Sequence, residues 1–287
     1  MEEEAMITYP QLQDLHEQIT TDKPVFSTRV YLSALDTIAM ICGTGQFKYI
    51  ELIEEYGSPL TMESINRACA VSSLPVIVKI NRQNQASIAQ NCITVGASGI
   101  LFVEPASADD VRQCVNILRP ASVDGDGLYG AKGTVFCPLP GAGSPEFPDS
   151  FNHLIIAVMI ERVGAVEEIE EIVEIEGVST LVLGATDLSL EMGHSGNTGH
   201  ADVQAALTRV TTAVQKSKKG ISLRYEMQSF DAVKNYWDQG YRHFSVGTDA
   251  GVLSAYYRSL AQDIAQLSDG GIDHDSSREP KIEGIYQ

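Results

Sequence analysis

Carboxylates gather at the ends of the apolar runs of this 287-residue chain. Glu161 closes the run 154–161 and Asp187 closes the run 180–187. Two such side chains on neighbouring strand ends supply the hard oxygen donors that Mg2+ or Mn2+ takes, and they leave positions open for substrate oxygens. Gly184, in Leu183-Gly184-Ala185-Thr186-Asp187, lets backbone approach a ligand closely. The same residue types also cap helices, so each carboxylate taken alone reads either way. Further runs end in Glu54-Glu55-Tyr56, Glu104, Arg224-Tyr225-Glu226 and Thr248-Asp249, and Lys79 stands near the end of another. Glu104 and Arg224 suit ordinary ion pairs as well as chemistry. His194 is the histidine that falls near such an end, as a conceivable proton carrier or as a solvent-facing loop residue.

To bring these groups to one face the chain needs a particular frame. Between Pro24 and Leu267, short β-branched apolar runs alternate with longer stretches of helical period, the pattern of βα units around a parallel sheet. Eight strands are predicted, at 25–31, 49–55, 75–80, 99–105, 154–161, 180–187, 220–226 and 243–249. Runs such as Leu154-Ile155-Ile156-Ala157-Val158-Met159-Ile160 are apolar without alternation, which means burial on both faces. The expected fold is α/β: a single-domain (β/α)8 TIM barrel over 24–267, with an N-terminal helical extension at 1–23 lying outside the barrel and a flexible tail at 268–287. In such a barrel all strand ends share one mouth. The stretch 165–173 predicts one acidic, solvent-facing helix stopped by Gly177. Residues 123–150, dense in Gly and Pro, break the rhythm and predict a functional loop between the fourth and fifth strands.

A hydrophobic share of 44% and a charged share of 20% suit a chain with one large core. The net charge of -18 opposes general binding to nucleic acid or anionic membranes, whose phosphates would meet a negative surface. Neither partner is expected. Five cysteines without a CxxC pair indicate neither a disulfide framework nor a zinc knuckle. Cys42, Cys69, Cys92 and Cys114 fall in predicted helices as small core residues. No basic-then-apolar leader is visible, and no apolar run approaches the roughly 20 residues that a bilayer requires, so a cytoplasmic protein is expected.

The run Val158-Met159-Ile160-Glu161, then Gly164-Ala165-Val166-Glu167, Gly184-Ala185-Thr186-Asp187-Leu188-Ser189, Met192-Gly193, Asp202-Val203-Gln204-Ala205-Ala206 and Val246-Gly247-Thr248-Asp249 resembles the HpcH/HpaI aldolases. These are metal-dependent class II 2-keto-acid aldolases of the phosphoenolpyruvate/pyruvate barrel superfamily. The likeness runs in order over about residues 25–265 and is most specific at 158–206. It implies that Glu161 and Asp187 ligate a divalent metal, Mg2+ or Mn2+, and that backbone at Gly184, Ala185 and Thr186 helps bind the carboxylate of a small 2-oxo acid. It implies a pyruvate-like enolate, stabilised by the metal, as the shared intermediate. Such proteins usually form homo-oligomers.

Several of the family's groups are replaced. Its second strand ends in Asp-x-Glu-His, where this chain has Ile53-Glu54-Glu55-Tyr56, so Glu55 is kept while Tyr56 stands in for the proton-transferring His. An unperturbed tyrosine, near pH 10, is a weak base at neutral pH. Lys79 is the nearest equivalent of the family's third-strand Arg; it supplies charge without the bidentate fork. The family's Arg-Gly pair reads Tyr129-Gly130, and the Pro of Gly-Pro-Ala-Asp is Ala185. The expected activity is that of a metal-dependent carbon–carbon lyase, of aldolase or decarboxylase type, with Lys79, Tyr56 and Glu55 as catalytic residues. Alternatives are a biosynthetic enzyme that uses the same enolate for condensation or rearrangement, and a non-catalytic barrel that binds a metabolite.

Overall fold

Each of the eight apolar runs forms a strand, and the strands close on one another. The computed structural model describes residues 7–21, 23–54, 60–122, 125–131 and 136–268. Strands β1 (Val25–Val30), β2 (Tyr49–Ile53), β3 (Val76–Ile80), β4 (Gly99–Phe102), β5 (Ile155–Ile160), β6 (Thr180–Leu183), β7 (Ser222–Met227) and β8 (His243–Thr248) form a closed barrel in sequence order. Every neighbouring pair is parallel, including β8 with β1, so all the C-terminal strand ends open on one mouth. All eight strands are shorter than the runs that predict them, β4 and β6 most of all. After β4 the backbone turns through Glu104, which sits in the left-handed region at φ 58. After β6 the chain breaks at Gly184 and Ala185 begins a helix.

Period-two alternation decides what the barrel encloses. Outward residues such as Ile50, Leu52, Val78, Ile100, Phe102, Ile156 and Val158 join the core beneath the helices. Inward, Ile77, Leu101, Ile155, Ala157, Met159 and Val182 make one side of the interior apolar. The other side, from β7, β8, β1 and β2, buries Ser27, Arg29, Glu51, Arg224, His243 and Ser245. Helix α1 (Tyr9–Thr20) precedes the first strand and packs against the barrel. Its Leu15 and Ile19 belong to the same interior cluster as Val25, Tyr49 and Ile155 at the strand starts, so α1 floors the barrel at the end opposite the mouth.

Between the strands run α2 (Leu35–Gly43), α3 (Met62–Val71), α4 (Gln85–Thr94), α5 (Ala108–Ile117), α6 (Phe147–Ser150), α7 (Val163–Glu167), α8 (Ile169–Ile172), α9 (Ala185–Glu191), α10 (Ala201–Lys216) and α11 (Phe230–Trp237). The helix predicted across 165–173 is two pieces, α7 and α8, separated at Glu168. The Glu168 carboxylate accepts the Ala108 N–H at 2.7 Å in the first turn of α5, where helix-end donors lack backbone partners. This acidic face is therefore also a cap for its neighbour. All five cysteines are free thiols, four of them buried, and Cys42, Cys69, Cys92 and Cys114 lie in α2 to α5 as expected.

The described part of the Gly/Pro-rich loop is tied to the outer layer. Leu128 and Tyr129 donate their N–H groups to Asn116 and Arg119 carbonyls, each at 2.8 Å, and the Tyr129 ring lies 4.9 Å from Phe151 with its hydroxyl 3.0 Å from Thr94 Oγ1. Tyr129 is thus a core residue; residues 123–124 and 132–135 lie outside the described ones. The chain up to Asp249 makes one compact unit, and a second begins at Ala250. In the second, α12 (Asp249–Ser268) carries Leu253, Tyr257, Leu260, Ile264 and Leu267 at alternating four- and three-residue spacing, the repeat of a helical apolar seam. Among the described residues no helix is long and apolar enough to cross a membrane.

Candidate active site at the barrel mouth

Glu161 is the first residue after β5, and Gly184 the first after β6, in a register that aligns Ile160 with Leu183. The glutamate is 3% exposed, and its Oε1 accepts the Glu104 N–H at 2.8 Å. The unusual backbone at Glu104 therefore has a visible purpose: it aims an N–H from the end of β4 at the carboxylate. Glu104 is itself pinned, its side chain by Arg162 at 2.9 Å and its carbonyl by the Arg82 guanidinium. On the other side, a Cβ built on Gly184 would lie 2.4 Å from Glu161 Cβ and 2.7 Å from Oε2. Glycine is required there by contact.

Asp187 stands in the first turn of α9, exposed, while Gly184 occupies the cap position without a side chain to cap with. A carboxylate in a first helical turn is favoured by the exposed N–H groups. The Ser189 hydroxyl donates to the Thr186 carbonyl at 2.6 Å, and Glu191 accepts the Val163 N–H at 2.8 Å, tying α9 to the start of α7. Gly184, Ala185 and Thr186 connect the end of β6 to Asp187, and Gly184 packs against Glu161. Glu55 and Tyr56 fall outside the described residues.

Lys79 is the penultimate residue of β3, 7% exposed, and it joins a group whose Arg29 and Glu51 sequence reasoning missed. Arg29 on β1 donates from Nη1 to Glu226 Oε2 at 2.6 Å, and Arg224 on β7 donates from Nη2 to Glu226 Oε1 at 2.9 Å. Arg224 and Glu51, both fully buried, form a two-pronged pair, and Arg224 Nη1 also reaches the Tyr49 hydroxyl at 3.2 Å. Burial alone would raise the Glu226 carboxyl, but the facing Arg224, Arg29 and Lys79 charges outweigh it and hold Glu226 below the usual carboxylate range. Burial pushes the Tyr31 hydroxyl upward, only partly offset by Arg29 and Lys79. His243 is held well below its ordinary value by burial and by the Arg224 charge. It is therefore a neutral imidazole, bonded to Tyr49 at 2.9 Å and to Ser222 at 3.2 Å.

The signal for this cluster is present in the sequence. In Ser222-Leu223-Arg224-Tyr225-Glu226 the polar residues recur at period two, and in Tyr49-Ile50-Glu51-Leu52-Ile53 Tyr49 and Glu51 do so. In a barrel sheathed by helices the outward set must be apolar, so the polar set must point inward. Asp249, by contrast, is structural: its carboxylate accepts the Tyr31 and Leu32 N–H groups at 2.8 and 3.0 Å.

His194 has its own setting. Among the described residues one trio of metal-capable groups converges within 4.8 Å, His194, His200 and Asp202, after α9. The two imidazoles are stacked, 3.5 Å between centroids and 17° between planes, so their in-plane lone pairs run side by side rather than meeting at one point. His200 Nδ1 accepts the Asp202 N–H at 3.3 Å as the cap of α10. This cluster is an N-terminal cap.

Comparison with known proteins bears on the mouth. A sequence profile of the family described as HpcH/HpaI aldolase/citrate lyase matches residues 61–255. The hydroxypyruvate/pyruvate aldolase of Paraburkholderia phytofirmans is 27% identical over 201 residues, covering 69% of this chain and 76% of that protein. The 4-hydroxy-2-oxo-heptane-1,7-dioate aldolase of Escherichia coli is 25% identical over 245 residues, covering 83% of this chain and 90% of that protein. A solved HpcH/HpaI aldolase/citrate lyase family structure from Burkholderia cenocepacia superimposes with a TM-score of 0.77 at 23% identity, over 88% of this chain and 99% of that one. The profile spans Lys79, Glu161, Gly184 and Asp187, whereas Arg29, Glu51, Glu55 and Tyr56 precede it.

Proposed function

The chain belongs to the HpcH/HpaI aldolase/citrate lyase family, and from that membership we propose that it is a metal-dependent carbon–carbon lyase, of aldolase or decarboxylase type, acting on a 2-oxo acid. The observation that carries this reading is the buried Glu161 carboxylate, oriented by the Glu104 N–H and accommodated by the bare Gly184. The donor set suits the group: Glu161 and Asp187 offer hard carboxylate oxygens and would hold a Mg2+ or Mn2+ ion. When bound, that ion supplies Lewis-acid polarisation of the substrate carbonyl.

The chain's own groups divide the remaining work. Backbone at Gly184, Ala185 and Thr186 orients the substrate carboxylate. Lys79, buried at the mouth end of β3, places positive charge where enolate charge develops, and a preorganised charge in a water-poor site acts there most strongly. Tyr56 and Glu55 would handle the proton at the enolate carbon in place of the family's His. The test is exchange of pyruvate methyl protons for deuterium, followed by NMR with and without Mg2+. Metal-dependent exchange by the intact protein, lost in Glu161→Gln, is the expected result; absence of exchange in the intact protein would remove the proposal.

A second reading is favoured by one observation, the replacement of the family's proton-transferring His by Tyr56. It makes the same enolate attack an acceptor, so that oxaloacetate or pyruvate is consumed only when an aldehyde or thioester is present. Assembly as a homo-oligomer, supported by the family's habit and by the apolar seam of α12, is measured by sedimentation equilibrium.

A further inference from the structure

Arg29 is more than nine-tenths buried at the mouth end of β1, one residue before the strand stops. Only its Nη1 is engaged, with Glu226. Nε and Nη2 are buried and, among the described residues, have no hydrogen-bond acceptor. Those two nitrogens form one edge of the guanidinium plane, with parallel N–H groups at the spacing of two carboxylate oxygens. A buried donor left without an acceptor is costly, and a buried cation more so. The neighbouring carboxylates are already occupied: Glu226 by Arg29 Nη1 and Arg224, and Glu51 by both arms of Arg224.

Position adds a direction. In the ring of eight strands β1 lies four strands from β5, diametrically across the mouth from Glu161. A substrate whose 2-oxo acid end sits at Glu161 and Asp187 has β1 and Arg29 on the opposite side of the mouth. Arg224 shares the Glu226 carboxylate with Arg29 on that side. Against a whole-chain charge of -18, a buried guanidinium edge with no acceptor among the described residues favours an anion.

We propose that the Nε and Nη2 edge of Arg29 is a specificity site for a second, distal carboxylate on the substrate, so that the preferred substrates are 2-oxo acids ending in a carboxylate rather than in a neutral tail. This rests on the lyase reading above, because the 2-oxo end must be anchored at Glu161 and Asp187. Arg29 precedes the segment matched by the family profile.

Two ligands of equal chain length separate the effects: 2-oxoglutarate, which ends in a carboxylate, and 2-oxopentanoate, which ends in a methyl group. Both are titrated calorimetrically into the full chain loaded with Mg2+. The intact protein is expected to bind 2-oxoglutarate about ten- to a hundredfold more tightly, the worth of charge-assisted hydrogen bonds. In Arg29→Met that ratio falls to near one while 2-oxopentanoate binding stays within about twofold. Arg29→Lys, which keeps a cation for Glu226 and so preserves the fold, loses most of the ratio because it lacks the fork. Circular dichroism confirms that each variant is folded. Equal affinity for the two ligands in the intact protein, a preference that survives in Arg29→Lys, or a parallel loss of both ligands in the variants overturns the assignment. If the intact protein binds neither ligand in the presence of Mg2+, the lyase reading itself fails, a result distinct from those three.

Discussion

Substituting alanine for Gly184 isolates the contact on which the site depends. The backbone at this residue, φ -92 and ψ 62, is open to alanine, so conformational strain is not the reason for glycine. Removing a glycine would by itself stabilise the chain by about 0.4–1 kcal/mol through the unfolded state. The added methyl, however, would lie 2.4 Å from Glu161 Cβ and 3.1 Å from Met159 Cγ. The first of these neighbours is the root of the glutamate side chain, anchored to a buried strand end, so it cannot swing aside as a flexible tip could. Forced methylenes in packed interiors cost roughly 1–3 kcal/mol. The net expectation for Gly184→Ala is a loss of about 1–2 kcal/mol, a melting midpoint lower by roughly 2–8 °C for a chain of this size. Displacement of the Glu161 carboxylate should also weaken Mn2+ binding about 10–100-fold, the usual effect of misplacing a ligand through its surroundings. Differential scanning calorimetry and titration calorimetry with Mn2+ measure the two effects. A variant with unchanged midpoint and unchanged Mn2+ affinity would refute the contact and the ligand role together.

Three other perturbations follow from the geometry. Glu51→Gln removes one of the two carboxylates that the fully buried Arg224 faces and leaves Glu226, and urea denaturation should show a loss of about 1–3 kcal/mol. Stability should fall as pH drops below about 6.5: burial holds folded His243 well below that value and lowers His16 to about 4, so over this interval only the unfolded chain takes up these protons. Urea midpoints from pH 8 to 5 check the slope, and His243→Gln should flatten it. Lys79→Met should lower kcat about 10²-fold with Mg2+ binding retained, and Lys79→Arg should recover part of the rate; steady-state kinetics with separate metal titration distinguishes this from a folding defect.

The fold was readable because eight strand-like runs alternate with helical stretches and β5 is apolar on both faces, a pattern that a sheet covered by helices explains. Boundaries were less readable, since the apolar character of residues 99–105 continues past the point where Glu104 turns left-handed, and Gly184 ends β6 before the run that contains it. Burial pattern reports what a residue sits among, not where hydrogen bonding stops. That Glu161, Gly184 and Asp187 fall at or just beyond neighbouring strand ends was legible from their order. Arg29 and Glu51 were not, because charges within strands suggest solvent exposure until the barrel is known to be closed. Once it is closed, their period-two placement leaves them only the interior. The fate of α1 was likewise hidden: Leu15 and Ile19 form an ordinary amphipathic face whose partner, the barrel floor, exists only after eight strands have met.

The central claim is that Glu161 and Asp187 make a metal–enolate site, and it is tested most directly by pyruvate release from oxaloacetate in Mn2+, measured above the metal-only background for the intact protein and for Asp187→Ala. The expected result is release by the intact protein that vanishes in the variant while the fold is retained. Release at equal rates from both, or none above background from either, would contradict it.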